Sequence, residues 1–376
     1  MISRHHDPGC DEAPAAVSPC HDGPVGSEPP GTFAGHLVRT LTGGALTMLI
    51  SLGYRTGLFE AAAAGPATSA GLADRAGLHE RYVREWLGAM VTGGFFTYDA
   101  VSGEYALPAE HARLLTGPGA ANAAPMAAML QAFAGALPEL ERCLRTGGGL
   151  APAAFAPHFA AAGAEPGDTW RRIYDEQLVG GFLGAVPGLV ARLAAGAVVL
   201  DLGCGTGHAV TVAAQAFPAA CFLGLDIDGH AVATAQSRRA RLGLGNAAFV
   251  IGDAAALPAR ARFDVITAFD AVHDQRSPQE VLHRVRAALA PGGVFVMVDA
   301  KFSSHLAANT GNPLASLCYA ISLLYCTPVG LDGGGAGLGA MWGTELARQM
   351  LAQAGFSQVQ VLDSPRPQNC IFVCRT

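Results

Sequence analysis

Basic charge is in short supply along this sequence. Lys and Arg number 24 against 30 Asp and Glu, for a net charge of −6. Nucleic-acid binding leans on Lys and Arg contacts to phosphate, so this balance argues against a nucleic-acid binder. Charged residues are scarce altogether, at 14%, while apolar residues reach 51%. A chain this apolar has material for sizeable cores and is not disordered as a whole. Metal-type cysteine spacing is also missing. The nine cysteines (Cys10, Cys20, Cys143, Cys204, Cys221, Cys318, Cys326, Cys370 and Cys374) form no CxxC pair and no Cys/His cluster of zinc-finger spacing. No metal is therefore expected, and the scattered thiols suit a reduced, cytoplasmic protein. The N-terminus shows no apolar signal core, again suggesting a cytoplasmic location. The longest apolar run, Leu314–Leu331, is interrupted by Ser316, Ser322, Thr327 and Pro328. It is near the minimum for a membrane span, so a buried core or lid helix is expected and no membrane association. No internal repeat stands out.

What is present divides into regions. Residues 1–30 are rich in Pro, Gly, Ala and acidic residues without periodicity, and read as a disordered tail. His5, His6, Cys10, Cys20 and His21 in that tail offer at most adventitious metal contacts. Residues 33–64 read as one or two apolar helices. Thr68 or Ser69 can cap a helix over Ser69–Ala76, Gly77 supplies a turn, and a second helix over His79–Val91 places Val83, Leu87 and Met90 on one face beside Trp86. Asp99–Gly103 is a hairpin turn between Phe95–Tyr98 and Glu104–Leu107. Helix, turn, helix, hairpin is a winged-helix order, here assigned to a domain over residues 31–120. An Ala-rich helical linker over 121–170 follows.

From Val198 the rhythm changes. Short apolar or β-branched runs at Val198–Leu202, Cys221–Ile227, Ala248–Ile251, Val265–Phe269, Val294–Val298, Val359–Leu362 and Cys370–Cys374 alternate with helical stretches. The pattern predicts an α/β fold, a Rossmann-like, doubly wound parallel sheet over residues 171–376. Residues 302–343 stand out as an insertion before the last helix. Its apolar helix, Leu314–Leu324, and its glycine-rich stretch suit a mobile lid over an apolar substrate.

The chemistry sits at the ends of the strands. The first run ends at Asp201 and is followed by Gly203, Cys204, Gly205 and Gly207, read DLGCGTG. Glycines let the backbone turn sharply beside a ligand, and a helix starting near His208 turns its N-terminal amides toward it. The second run ends in Asp226 and Ile227, about 20 residues past the loop, where a carboxylate can accept bonds from both ribose hydroxyls. The alternative, a helix cap, is better suited to Asp228. The third run leads to Asp253, placed for an adenine amino group, with the Ala254 amide beside it. The fourth carries Asp264 at its start and Asp270 at its end. Ligands of open α/β sheets bind at the carboxyl ends of the strands. That rule gathers Asp201, Asp226, Asp253 and Asp270 around one crevice.

Val198–His208, Asp226, Gly252–Asp253, Phe263–His273 and Pro291–Gly293 together resemble the successive motifs of class I S-adenosylmethionine-dependent methyltransferases. The resemblance covers roughly residues 170–376. With the winged-helix unit and the stretch GGAGLGAMWG at Gly334–Gly343, it extends to a subgroup with an N-terminal winged-helix domain that serves dimerisation. It implies S-adenosylmethionine as cofactor, with Gly203–Gly207 under its methionine part, Asp226 on ribose and Asp253 on adenine. A homodimer and a small-molecule acceptor at O, N or S are also implied.

The segment AVHDQRS resembles the His-Asp pair of small-molecule O-methyltransferases, which makes His273 a candidate general base. Gln275, where that group has Trp, is a departure. Pocket residue and structural histidine stay open for His273. Asp274 would either orient His273 or cap the next helix, and both residues are candidate catalytic groups. Asp299, Lys301, His305, Asn309, Met341 and Trp342 are candidate substrate contacts, with a solvated strand end or plain packing as the alternative for each. Tyr174 would line the pocket or belong to a packing helix. The rival reading is a transcriptional regulator that senses S-adenosylmethionine. Over residues 70–115, however, four arginines face six carboxylates, a net of −2, and the hairpin turn has no positive charge.

Overall fold

The computed structural model describes residues 31–259 and 262–376. The predicted tail, with its His5, His6, Cys10, Cys20 and His21, lies outside them. The chain divides into two units, residues 1–45 and 46–376. In the first, the described helical residues begin a helix over Phe33–Arg55.

In the second unit, the winged-helix order appears as read. Thr68 caps the helix Ser69–Ala76 by accepting from the Gly71 amide, and Gly77 ends it in the left-handed region at φ 66°. His79 is the cap of the following helix, Glu80–Thr92, not its first turn. Strands β1 (Thr97–Asp99) and β2 (Glu104–Ala106) pair antiparallel. The Asp99 carboxylate closes the turn by accepting from the Val101 amide at 2.9 Å. Phe59, Trp86 and Phe96 form the aromatic centre, with ring centroids 5.3–6.3 Å apart. The Trp86 indole N–H reaches the Leu49 carbonyl at 2.9 Å.

All seven predicted runs of the C-terminal region are strands: β3 (Val198–Leu202), β4 (Cys221–Asp226), β5 (Ala247–Ile251), β6 (Phe263–Phe269), β7 (Leu289–Ala300), β8 (Gln358–Asp363) and β9 (Asn369–Arg375). They form one sheet in the order β5-β4-β3-β6-β7-β9-β8. Alternate residues feed opposite faces. Val199 joins the cluster under the helix His208–Ala216, and Leu200 joins the cluster under the helix Pro278–Ala288. The expectation of a parallel sheet needs one correction, because β9 runs antiparallel to both β7 and β8. Residues 364–368 link β8 to β9, and so short a link can only return antiparallel, since a parallel partner needs a crossover of a dozen residues or more. The strand order reverses between β3 and β6, which opens the crevice at the carboxyl ends of these strands.

The insertion after β7 also differs from expectation. Its apolar helix runs past Leu324. Ala315–Ile321 continues through a wider π turn, Ser322–Cys326, into Thr327–Leu331. By length and composition alone, Ala315–Gly334 would suffice to cross a membrane. In this fold Tyr325 packs between Phe133 and Phe155, at ring centroids of 5.3 and 4.9 Å. The Pro328 carbonyl takes the Leu150 amide at 2.9 Å. The glycine-rich stretch is tied to its surroundings by backbone hydrogen bonds. The Gly337 amide bonds the Gly330 carbonyl and the Ala336 amide bonds the Arg276 carbonyl. A Cβ at Gly335 would lie 2.2 Å from the Gly330 oxygen, so backbone packs on backbone there.

Candidate active site

The glycine loop leaves β3 with Gly203, Gly205 and Gly207 at φ 64°, 52° and 72°. At Gly207 both geometry and space demand glycine, because a Cβ would sit 2.4 Å from the Phe249 ring. A Cβ at Gly205 would meet nothing within 4 Å, which leaves an open cradle in front of the loop. Amides of Gly203 and Cys204 bond the Leu225 carbonyl at 2.9 and 3.2 Å and tie the loop to β4. Cys204 is buried, and burial pushes its thiol pKa up, so it is an uncharged packing group here.

Asp226 ends β4. Its two oxygens accept from the Gly205 amide at 2.7 Å and the Asp228 amide at 2.9 Å, so this carboxylate shapes the loop it faces. Asp228 caps the next helix through the His230 and Ala231 amides, as the sequence suggested. Ile227 follows Asp226 with 54% of its surface exposed. Asp253 is exposed and accepts from the Ala255 amide at 2.8 Å, while Ala254 is buried. Asp264 is no site residue, because it accepts the Val198 amide at the opposite end of the sheet.

Two further carboxylates stand at the crevice, Asp201 buried and Asp270 half-buried. Asp201 accepts from the Thr267 hydroxyl at 2.6 Å, and burial raises its pKa to about 7. Asp270 is, among the described residues, the single non-glycine at positive φ, 45°. Asp tolerates this left-handed conformation better than most residues, and such strain often marks a functional position. Burial and the nearby Asp299 raise the pKa of Asp270 to about 7. Its Oδ1 accepts from the side-chain amide of Asn369 at 3.0 Å. Asp201 and Asp270 place two carboxylates with pKa values near 7 at the crevice, and the glycine loop leaves open space in front of Gly205. Both observations fit a cationic nucleoside cofactor such as S-adenosylmethionine.

His273 follows the same strand and is 3% exposed. Here the structure departs from the sequence reading. Asp299, at the end of β7, accepts from the His273 Nδ1 at 2.9 and 3.0 Å. Asp299 is fully buried and is itself fixed by the Trp342 indole N–H at 3.0 Å and the Ala300 amide at 2.8 Å. Asp274, the neighbour in sequence, lies 3.4 Å from Nε2 on the other side of the ring. It does not cap the next helix, where Ser277 holds that place. One Asp274 oxygen is buried without a hydrogen-bond partner, and burial raises its pKa to about 6. Burial alone would lower the His273 pKa, but the Asp299 and Asp274 carboxylates outweigh it and hold the pKa well above its ordinary value. The Cys326 thiol lies within hydrogen-bonding reach of the ring. Donor atoms of His273, Asp274 and Cys326 all fall within 4.8 Å of one another.

His273 and Asp274 open onto a cavity of about 600 Å³, walled largely by apolar side chains, among them Met129, Phe133, Phe159, Leu317 and Ile321. These come from the linker and the insertion. Of the remaining candidates, Trp342 supports Asp299 from behind, and Asn309 holds the Ser303 backbone and the Tyr319 hydroxyl. Lys301 pairs with Asp363 at 2.7 Å on the surface, and His305 is exposed. Tyr174 packs between Trp170 and Phe269, at centroid distances of 5.2 and 5.4 Å, beside the crevice. The sequence reading missed Cys326 and Arg366. A lone arginine between Pro365 and Pro367, in a turn at the ligand edge, was the available signal for the latter.

A model of the Rv2258c-like winged HTH domain matches residues 44–117, and one of a methyltransferase domain matches residues 193–355. The chain belongs to the class I S-adenosylmethionine-dependent methyltransferases with an N-terminal winged-helix domain. Solved structures similar to this methyltransferase extend over nearly all of it. A putative O-methyltransferase from Nostoc punctiforme is 20% identical, with 91% of this chain and 98% of that one covered and a TM-score of 0.65. Human N-acetylserotonin methyltransferase, solved with S-adenosylmethionine, is 17% identical over 93% and 99%, at a TM-score of 0.66. Mitomycin 7-O-methyltransferase is 21% identical over 91% and 97%, at a TM-score of 0.62. At such identities the likeness speaks for the fold. No curated protein matches the sequence.

Proposed function

We propose that this methyltransferase methylates a hydroxyl of an apolar small molecule, with His273 as general base. The observation that carries the reading is the buried His273–Asp299 pair, aimed at a cavity of about 600 Å³. The O-methyltransferase names of its structural neighbours lend support to oxygen over nitrogen or sulfur. Asp226 and Ile227 would hold the ribose end of the cofactor, and Asp253 with Ala254 the adenine end. The loop Gly203–Gly207 with Asp201 and Asp270 would hold the methionine end. Bound S-adenosylmethionine supplies an electrophilic methyl on sulfur, which the acceptor oxygen attacks in line. With Nδ1 donating to Asp299, a neutral His273 keeps Nε2 as the acceptor for the hydroxyl proton. Asp299 then stabilises the imidazolium that forms. Because the His273 pKa is raised, the base is protonated at low pH and becomes available as pH rises.

The winged-helix unit serves, in this reading, as dimerisation module and scaffold. On the helix Glu80–Thr92 the arginines are taken up by neighbours, Arg81 by Glu85 at 2.5 Å and Arg84 by Glu80 at 3.4 Å. That leaves little charge for phosphate. Phe33, Leu37 and Leu41 recur at helical spacing, and Met48 and Leu52 are exposed, as a homodimer surface requires. A cytoplasmic location goes with the reduced state of the seven described cysteines.

Calorimetric titration with S-adenosylmethionine tests the cofactor site and its charge together. A cationic methionine end binds an ionised Asp201, so affinity is full above its pKa of about 7 and falls as the pH drops through it. Binding at pH 6 is expected to be up to about tenfold weaker than at pH 8. Absence of binding at both values would remove the enzyme reading, and salt-sensitive binding of random duplex DNA would favour the regulator. Methyl transfer is also expected to survive EDTA. A loss of activity restored by zinc would turn His273, Asp274 and Cys326 into a metal centre, with Nε2 no longer free to act as base.

A further inference from the structure

Arg366 sits in the Pro-Arg-Pro turn between β8 and β9 and lines the same cavity as His273. Because β8 runs parallel to β7, this turn belongs to the edge of the sheet where ligands bind. The guanidinium carbon lies 5.1 Å from the centroid of the Trp170 ring. Its N–H groups face the Gln368 side-chain carbonyl, a neutral acceptor. No carboxylate among the described residues lies within ion-pair distance of it. The other basic groups of the cavity wall are already paired. Arg171 bonds Asp168, and His273 bonds Asp299. A second arginine behind the wall, Arg172, also bonds Asp168, so that carboxylate is spoken for. The carboxylate nearest Arg366 in effect is Asp270, which is engaged by Asn369 and stands half-protonated near pH 7. Burial lowers the Arg366 pKa, which expresses the cost of removing this cation from water without an anion beside it.

We propose that Arg366 is an anion subsite of the acceptor cavity, and that the acceptor is an apolar aromatic molecule carrying a carboxylate. The planar fork of the guanidinium matches a carboxylate in bidentate fashion, and its face is already held by Trp170. The apolar wall around Phe133 and Leu317 takes the ring system, with the hydroxyl left to His273. The carboxylate of the cofactor's methionine is the competing anion. Of the groups assigned to the methionine end only Asp270 lies on the wall with Arg366, and the glycine loop, Gly203–Gly207, and Asp201 do not, so the two anions are separated by the test below. The inference rests on the small-molecule reading of the cavity, but its test does not require methyl transfer.

The probes are 2-naphthoate and its neutral carboxamide, 2-naphthamide. Neither has a hydroxyl to methylate, and each is titrated calorimetrically into protein saturated with S-adenosylhomocysteine. The wild type is expected to bind 2-naphthoate about ten- to a hundredfold more tightly than the amide. Arg366→Gln is expected to bring the ratio close to one, and Arg366→Lys to restore part of it. Equal affinities in the wild type, or no binding of either probe, would overturn the inference. So would a preference that survives Arg366→Gln. If Arg366→Gln instead weakens S-adenosylhomocysteine and leaves the preference intact, the arginine belongs to the cofactor. Loss of methyl transfer with the naphthoate preference intact would count against the His273 reading and leave the anion subsite standing.

Discussion

Alanine at position 273 is expected to lower turnover by about 100-fold or more, while the dissociation constant for S-adenosylmethionine stays within a factor of two or three. General-base catalysis by a positioned histidine contributes roughly 10²–10⁴-fold. In this fold the imidazole is held from one side by Asp299, which is locked by Trp342 and the Ala300 amide. No part of the ring contributes to the glycine loop or to Asp226, so cofactor affinity provides an internal control for folding. A single-turnover measurement with a hydroxylated aromatic acceptor separates the chemical step from product release. Its wild-type rate should climb with pH and level off above the ordinary histidine pKa of 6.5, because two carboxylates hold the proton on the ring. The variant should lose that rise. A variant of unchanged turnover, or one with the same pH profile, would take His273 out of the mechanism.

The second large effect is expected on cofactor binding. Asp226→Ala should raise the dissociation constant for S-adenosylmethionine by about 100-fold or more. The carboxylate accepts from two backbone amides, Gly205 and Asp228, at 2.7 and 2.9 Å. Hydrogen bonds to charged groups contribute about 1.5–3 kcal/mol each, and each 1.4 kcal/mol is a factor of ten. Removing the carboxylate therefore unshapes the loop and deletes the proposed ribose acceptor at once. The residue is half-buried at a strand end, so the sheet should persist, which far-UV circular dichroism can check. Asp226→Asn keeps the shape but turns one oxygen into a donor facing an amide. It should fall between the wild type and the alanine variant. Native-like affinity in both variants would move the ribose contact elsewhere.

Much of this was legible in the sequence because it is local. A strand that ends in Asp201 and passes into DLGCGTG can be read from a dozen consecutive residues, and so can Asp226 and Asp253 at the ends of later strands. The thin charge of the helix Glu80–Thr92 is equally plain from its i,i+4 pairs. Glycine spacing, alternation and caps are short-range physics, and they pointed to the class of fold and to the strand edge that binds a nucleoside-type ligand, while the resemblance of the motifs to the methyltransferases named the cofactor.

The partners of the reacting groups are not local. Asp274 stands next to His273 in the chain, yet Asp299, 26 positions away, holds its Nδ1. Only the pairing of β6 with β7 brings those two residues side by side. The antiparallel β9, and with it the placing of Arg366 at the cavity, depends on how one short turn closes the sheet. The cavity draws Phe133 from the linker and Leu317 from the insertion, neither of which carries a motif. Hydrophobic side chains record that they will be buried, but not against what. The opening sign of too little basic charge thus takes a sharper form. It argues against nucleic acid as a partner in bulk, while one half-buried arginine without a carboxylate partner, placed at the cavity only by folding, carries the proposal about the acceptor.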